Sequence, residues 1–283
     1  MAIKNVFVIG AGVMGNGIAQ VSAQAGYNVT MSDIKDEFLS KGMATIEKSL
    51  DRMVKKGTLE ESGKAEIMGR IKTTVDMKDA EDADMVIEAA PEILEVKVGI
   101  FKQLDEICKE DAILGTNTSS LPIGAIAASI SRPGKVIGIH FMNPVPVMKG
   151  VEVIPGRNTD DDILEAAKEY VKSLGKEPCE ARDYAGFIVS RLVDALMNEA
   201  FHCVMDGNKP EEVDKAVKLC LNHPMGPLEL CDLAGADVVM HGLETMYEEF
   251  GERLMPAPLL KNMVRSGDLG RKTGRGFYDY TQK

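Results

Sequence analysis

VFVIGAGVMGNGIAQ, residues 6–20, runs from a short β-branched stretch into Gly10, Gly12 and Gly15 and out into a helical pattern. The spacing is G-x-G-x-x-G, and its place between a strand and a helix separates it from a chance cluster of glycines. Each glycine has its own steric task. Gly10 permits a tight turn, Gly12 lets a pyrophosphate approach the backbone, and Gly15 lets the helix lie against the strand, with the helix N-terminus facing the phosphates. Met14 sits inside the same loop and is counted among its contacts. The next strand ends at Asp33, a little over 20 residues beyond Gly10, where a carboxylate accepts a ribose hydroxyl and repels a 2′-phosphate. The expected cofactor is therefore NAD, with Lys35 nearby as the feature that tempers the preference over NADP. The alternative is a glycine-rich turn with no ligand.

Working outward, short β-branched runs alternate with helical stretches from residue 5 to about 182, the pattern of a mostly parallel sheet covered by helices. The expected strands are Val6–Ile9, Asn28–Ser32, Lys72–Val75, Met85–Ala89, Ile113–Thr116, Val136–His140, Val151–Ile154 and Pro178–Ala181. Lys35 to Ile71 is too long for one crossover helix and reads as a helical hairpin. Gly57 ends its first arm, and Thr58 with Glu61 forms a capping box that opens the second. Lys55 and Lys56 fall at the tip, where a solvated helix end is the plain reading. From Gly186 onward the pattern is helical, with Pro210 and Pro227 in first turns and Gly207, Gly226 and Gly251 at helix ends. The fold class is thus α/β: a Rossmann-type, mostly parallel sheet with a helical hairpin insertion, plus an all-helical C-terminal domain. The expected domains are residues 1–184 and 185–283.

Composition limits the partners. The chain has 283 residues, 45% hydrophobic and 27% charged, which is globular composition. A net charge of −11 opposes a phosphate backbone, and no basic stripe interleaved with aromatics reverses it, so nucleic acid is not an expected partner. No apolar run approaches the roughly 18 residues that span a bilayer, and the glycine-rich start does not read as a signal peptide. Cys108, Cys179, Cys203, Cys220 and Cys231 are odd in number and lack C-x-x-C spacing, so they read as reduced packing residues of a cytoplasmic protein. No cluster of His, Cys or carboxylates has metal-ligand spacing, and no G-x-S-x-G elbow is present.

Two further stretches carry chemistry. TNTSSLPI, residues 116–123, follows the fifth strand, so Asn117, Thr118 and Ser119 lie on the edge where open α/β sheets bind ligands. Ser120 is expected to cap the next helix with Pro122 in its first turn, and plain capping is also an alternative reading of Ser119. HFMNPVPVMKGVE, residues 140–152, places His140 at the end of a strand, breaks at Pro144 and Pro146, and returns as a strand carrying Glu152. A hairpin would bring the carboxylate beside the imidazole, fix its tautomer and favour its protonated form, leaving the other nitrogen for a substrate proton. A hydrogen-bonded core histidine is the competing account of His140. His202 and His241 fall within helices and His223 in a loop, so His140 alone among the four ends a strand on that edge.

Taken in order, GAGVMGNGIAQ, VIEAAPE, TNTSSLPI, HFMNPVPVMKGVEVI, GFIVSR, HPMGPLEL and GRKTGRGFYDY resemble the L-3-hydroxyacyl-CoA dehydrogenase family, in particular its short bacterial members. The resemblance covers essentially the whole chain. It implies an NAD-binding domain with a protruding hairpin and a helical domain that supplies most of a homodimer interface. By position, it makes His140 the general base, Glu152 its orienting carboxylate and Ser119 the hydrogen-bond partner of the substrate's 3-oxygen. It puts Asn117 and Asn143 near the nicotinamide and acyl group, Glu92 and Lys97 at the cofactor's ribose or pyrophosphate, and Lys55 and Lys56 near the CoA. One residue departs from the pattern: Ser190 stands where the family carries a catalytic asparagine.

The activity this implies is reversible, NAD-dependent oxidation of a short (S)-3-hydroxyacyl-CoA such as 3-hydroxybutyryl-CoA to the 3-ketoacyl-CoA. Two alternatives stand beside it. One is a sugar-acid dehydrogenase of the same fold; the other is a nucleotide-binding structural or regulatory protein whose turnover has weakened, a possibility that Ser190 raises.

Overall fold

The computed structural model describes residues 3–281. The chain divides into two compact units, the first ending at Asp183 and the second beginning at Tyr184.

The first unit is built on an eight-stranded sheet of order β3-β2-β1-β4-β5-β6-β7-β8. Its strands are β1 (Asn5–Ile9), β2 (Asn28–Ser32), β3 (Ile71–Thr74), β4 (Met85–Glu88), β5 (Ile113–Thr116), β6 (Val136–Phe141), β7 (Gly150–Pro155) and β8 (Glu177–Glu180). These are the eight stretches expected, with ends shifted by no more than one residue. Every pairing is parallel except β6 with β7. All residues of β4, β5 and β6 are buried, as required of central strands covered by helices on both faces. The sheet order reverses at β1, which pairs with β2 on one side and β4 on the other, so a crevice opens beyond their carboxyl ends.

Helix α1 (Val13–Gln24) leaves the glycine loop and packs back on β1 and β2. Two glycines in this loop do different work. A Cβ on Gly15 would lie 1.7 Å from the Gly10 carbonyl oxygen, whereas one on Gly12 meets nothing within 4 Å. Gly15 therefore buys close helix-to-strand contact, and Gly12 leaves open space at the start of the helix.

The hairpin is present as α2 (Asp36–Lys55) and α3 (Glu61–Gly69), whose buried residues include Leu39, Ile46, Leu50 and Ile67. Its expected capping box is not. The Thr58 hydroxyl donates back to the Met53 carbonyl at 3.1 Å, closing the end of α2, and α3 begins after Glu60 with no side-chain cap. A threonine beside freed C-terminal carbonyls has a nearer acceptor there than the amides of the next helix. Helix α4 (Leu94–Ile107) follows β4, and the short α5 (Ile123–Ala127) follows β5. Ser120 does not cap α5. Pro122 occupies that position, and the Asp183 carboxylate accepts the Ile123 and Gly124 amides at 2.8 Å each. Helix α6 (Asp161–Ser173) completes the unit, with Tyr170 buried and its hydroxyl 2.6 Å from that of Ser22.

The second unit is helical: α7 (Val189–Met205), α8 (Pro210–Cys220), α9 (Pro227–Ala234), α10 (Ala236–Phe250) and α11 (Pro258–Ser266). Pro210 and Pro227 stand in first turns. Gly207 and Gly251 follow helices with φ of 102° and 71°, but Gly226, expected at a helix end, precedes α9 with φ of −74°. It is held there by crowding, since a Cβ on Gly226 would fall 2.2 Å from the Asp214 side chain. The core gathers Met197, Phe201, Leu228, Leu243, Met246 and Leu260. The closing GRKTGRGFYDY segment is tied to this core by two buried carboxylates. Asp232 accepts the Phe277 and Tyr278 amides at 2.9 and 3.0 Å, Asp214 accepts the Tyr278 hydroxyl at 2.6 Å, and Phe277 stacks on Phe201.

The two glycines of the α1 loop give a contrast that chemical denaturation can read. Gly15→Ala must push α1 off the Gly10 carbonyl and is expected to lose about 1–3 kcal/mol. Gly12→Ala, with free space around it, is expected to stay within about 0.5 kcal/mol of the wild type. Equal losses in the two variants would contradict the close-approach account.

Candidate active site

His140 and Glu152 face one another directly in the antiparallel ladder of β6 and β7. Their side chains meet, with His140 Nδ1 at 2.8 Å from Glu152 Oε2. Both are buried, at 7% and 1% exposure. A carboxylate on Nδ1 fixes that nitrogen as the N–H donor and directs Nε2 away from it as the proton acceptor. The Asn143–Pro144 peptide in the connecting loop is cis, and Asn143 itself is exposed.

The neighbouring strand end is joined to this hairpin. Asn117, just past β5, accepts the Phe141 amide on its Oδ1 at 2.8 Å, one residue beyond His140. Ser119 is half-buried, and its loop is organised by Glu92. One carboxylate oxygen, Glu92 Oε1, accepts the Thr118 hydroxyl at 2.5 Å and the Ser119 and Ser120 amides at 2.8 and 3.1 Å. The Ser119 and Ser120 hydroxyls lie 3.2 and 3.3 Å from the same atom. Burial works to raise the Glu92 pKa. The Lys97 charge, the Thr118 hydroxyl and the two serine amides outweigh it and hold the carboxyl below the usual glutamate range. The stability this confers is present above the ordinary glutamate pKa and is lost as the pH falls through the lowered one.

Behind Glu92 lies a charged cluster whose cation, Lys97, is among the expected site residues and whose acid, Glu88, sequence reasoning missed. Glu88, fully buried at the end of β4, accepts Lys97 Nζ at 2.7 Å and the Ala90 amide at 2.6 Å on Oε1, and the Thr116 hydroxyl at 2.7 Å on Oε2. Lys97 is only 1% exposed, and its ammonium is directed at Glu88, at Glu92 Oε2 at 3.4 Å and at the Ala90 carbonyl at 3.3 Å. An acid closing the apolar run MVIE is the signal that could have marked Glu88, since a buried carboxylate needs a partner.

On the other side of the switch point, a cleft of about 780 Å³ opens over the glycine loop. Gly10, Gly12, Met14 and Asp33 all line it, and Ile34, Phe38, Val75 and Val96 supply apolar wall. Asp33 accepts the Ala11 amide on Oδ2 and the Ile34 amide on Oδ1, both at 2.7 Å, and each carboxylate oxygen has a second lone pair for a hydroxyl. The cleft fits a dinucleotide: open backbone at Gly12 for phosphates, a carboxylate for a ribose, and apolar surface for a base.

Lys55 and Lys56 are exposed at the hairpin tip, as the last residue of α2 and its C-cap. Ser190 is the second residue of α7 in the other unit, half-buried. The turn before it is set by Gly186, where φ is 72° and a Cβ would lie 2.6 Å from Met246 Sδ. Arg191 stacks over the Phe250 ring at 4.2 Å from its centroid. Among the described residues no group of His, Cys, Asp and Glu could hold a metal ion, and no helix is long and apolar enough to cross a membrane.

The chain matches two family models, the NAD binding domain of 3-hydroxyacyl-CoA dehydrogenase over residues 5–184 and its C-terminal domain over residues 186–280. It is 46% identical over 277 residues to the 3-hydroxybutyryl-CoA dehydrogenase of Clostridioides difficile, covering 97% of this chain and 99% of that one. The corresponding enzyme of Bradyrhizobium diazoefficiens is 46% identical over 280 residues, covering 98% and 96%. Among solved structures, the (S)-3-hydroxybutyryl-CoA dehydrogenase of Ralstonia eutropha superposes with a TM-score of 0.95 at 46% identity, covering 99% of this chain and all of that one.

The Glu88–Lys97 pair generates a stability test. Lys97→Met leaves the Glu88 charge buried without its cation and is expected to destabilise the fold by about 3–5 kcal/mol. Adding Glu88→Gln should recover part of that loss, measured by urea titration as a double-mutant cycle. Strict additivity would mean the two charges are not coupled.

Proposed function

Because the chain belongs to the 3-hydroxyacyl-CoA dehydrogenase family, we propose that it interconverts (S)-3-hydroxybutyryl-CoA and acetoacetyl-CoA with NAD, using His140 as its acid–base group. The observation that carries this reading is the buried His140–Glu152 pair at 2.8 Å. In the oxidation direction, His140 Nε2 takes the proton of the 3-hydroxyl while Nδ1–H donates to Glu152, whose carboxylate stabilises the imidazolium. In reduction the imidazolium returns that proton to the 3-oxygen. The Ser119 hydroxyl is assigned to hydrogen-bond the 3-oxygen and orient C3. With NAD held over the glycine loop and its nicotinamide reaching Asn117 and Asn143, the cofactor would supply the two-electron redox chemistry at C3.

On the cofactor side, Gly10, Gly12, Met14 and Gly15 form the phosphate loop and Asp33 accepts the adenine ribose. Glu92 and Lys97 are assigned to the cofactor's ribose or pyrophosphate, with Asn117 and Asn143 near the nicotinamide and acyl group. Lys55 and Lys56 are assigned to the CoA phosphates, where exposed ammonium groups form charge-assisted hydrogen bonds. Exposed apolar side chains of the helical unit, among them Leu192, Leu219 and Val238, support a homodimer through that unit. The five cysteines are free thiols in the structure, consistent with a cytoplasmic setting.

Ser190 is assigned to the catalytic neighbourhood as the counterpart of the family's asparagine. Serine is shorter than asparagine and has no amide, so it offers one hydroxyl where the family has a carboxamide.

Steady-state reduction of acetoacetyl-CoA, with NADH and NADPH compared in parallel, tests substrate and cofactor together. NADH should be preferred, and His140→Ala should abolish turnover with NADH affinity nearly unchanged. Cofactor binding with no reduction of acetoacetyl-CoA would sink the proposal and favour the non-catalytic alternative. Ser190→Asn is expected to raise kcat at least tenfold, the lower end of what one transition-state hydrogen bond contributes. An unchanged or lower rate would mean the site is built around serine.

A further inference from the structure

Lys176 is a buried cation outside all the residues assigned above. It lies between α6 and β8, just after Gly175, which turns the chain at φ of 71°, and it is 7% exposed. Its ammonium donates to the carbonyls of Val145 and Met148, both at 2.6 Å. No carboxylate among the described residues forms an ion pair with it. Burial lowers its pKa. What favours the positive charge instead is local: two short bonds to carbonyl oxygens, and the C-terminal ends of α1 and α6, which border the same cleft at Ala25 and Leu174.

Both carbonyls belong to the loop 142–149 that leaves β6 after His140 and enters β7 before Glu152. The loop is closed on itself where the Pro144 carbonyl accepts the Val147 and Met148 amides at 2.9 and 3.0 Å. Its far end is tied to β8 by the Glu177 amide donating to the Lys149 carbonyl at 2.9 Å. Val145 is 2% exposed and seated on α1, so tightly that a Cβ on Gly17 would fall 2.8 Å from the Val145 Cβ. The loop is thus pinned against the helix of the glycine motif on one side and by an ammonium on the other.

We propose that Lys176 is a positioning residue for the reaction. Its ammonium clamps the loop that joins the strands of His140 and Glu152, and thereby fixes Asn143 and the imidazole relative to the cofactor cleft. This rests on the acid–base reading of His140. The ladder between β6 and β7 keeps the register without the clamp, so loss of Lys176 acts on placement and not on the existence of the pair. A misplacement on the order of 1 Å costs about a hundredfold in rate.

The test compares Lys176→Met and Lys176→Arg in the full chain by acetoacetyl-CoA reduction, NADH binding and amide hydrogen exchange over residues 142–149. Lys176→Met should lower kcat by about tenfold to a hundredfold, leave the NADH Kd within about twofold and speed exchange in the loop at least tenfold. Lys176→Arg keeps two N–H donors for the carbonyls, and the adjoining cleft of about 390 Å³ gives room for the longer head, so kcat should return to within about threefold of wild type. Wild-type kcat in Lys176→Met overturns the proposal, as does a kcat loss with unchanged loop exchange and no rescue by arginine. If the methionine variant does not fold, Lys176→Gln, which keeps amide N–H donors but loses the charge and the reach of lysine, should fall between arginine and no activity, and a wild-type rate would again overturn the clamp. If the wild type fails to reduce acetoacetyl-CoA, the functional reading falls. Loop exchange in Lys176→Met still decides the clamp, because an unchanged value refutes it.

Discussion

The sheet carries one antiparallel pairing, β6 with β7, and that pairing sets His140 across from Glu152. Side chains alternate faces along a strand, so a slip of one residue would send the carboxylate to the opposite face and separate it from the imidazole. In a parallel pair the return strand would need a crossover of a dozen or more residues; the reversal lets a short proline-broken loop do it. The chemistry assigned to the pair, the short loop and the attachment of that loop to α1 and Lys176 all follow from this one change of direction.

Around that pair, the binding edge is stabilised by charges withdrawn from water. Glu88, Lys97 and Glu92 form a chain that runs from the end of β4 to the amides of the Ser119 loop. Loops beyond strand ends have free backbone donors, and in this fold they cannot all turn to solvent without leaving the edge. A carboxylate that gathers several of these donors on one oxygen converts a flexible loop into a fixed one, at the desolvation cost that Lys97 offsets. The cofactor cleft next to it is built the opposite way, with apolar walls and a few polar groups, as suits a ligand held by shape and oriented by few contacts.

Much of this was legible in the primary structure. All eight strands, the hairpin and the helical second unit follow from periodicity, because each strand is either buried on both faces or bounded by clear turn residues. The facing of His140 and Glu152 was readable because both sit near the proline loop that joins their strands. The failures share a cause. Thr58, Ser120 and Gly226 are each expected at a helix boundary from local preference, and each position is decided by a competing partner, near in the chain for Thr58 and farther away for the other two. The acceptor for Thr58 is a carbonyl of the preceding helix, α5 is capped by Asp183 from 60 residues away, and Gly226 is dictated by Asp214 on a neighbouring helix.

By itself the sequence determined what is local or periodic: the glycine loop, the acid at Asp33, the alternation of strands and helices, and the residue types available for proton transfer. Family resemblance added which of those residues belong together. Only the tertiary structure decided which buried charges neutralise one another, that Glu92 organises the Ser119 loop, and that Lys176 grips the loop between His140 and Glu152. A pattern along the chain encodes burial and conformation residue by residue. The partner of a buried charge is set by three-dimensional proximity, across nine residues for Glu88 and Lys97 and 31 for Lys176 and Val145, and nothing in either spacing expresses that contact.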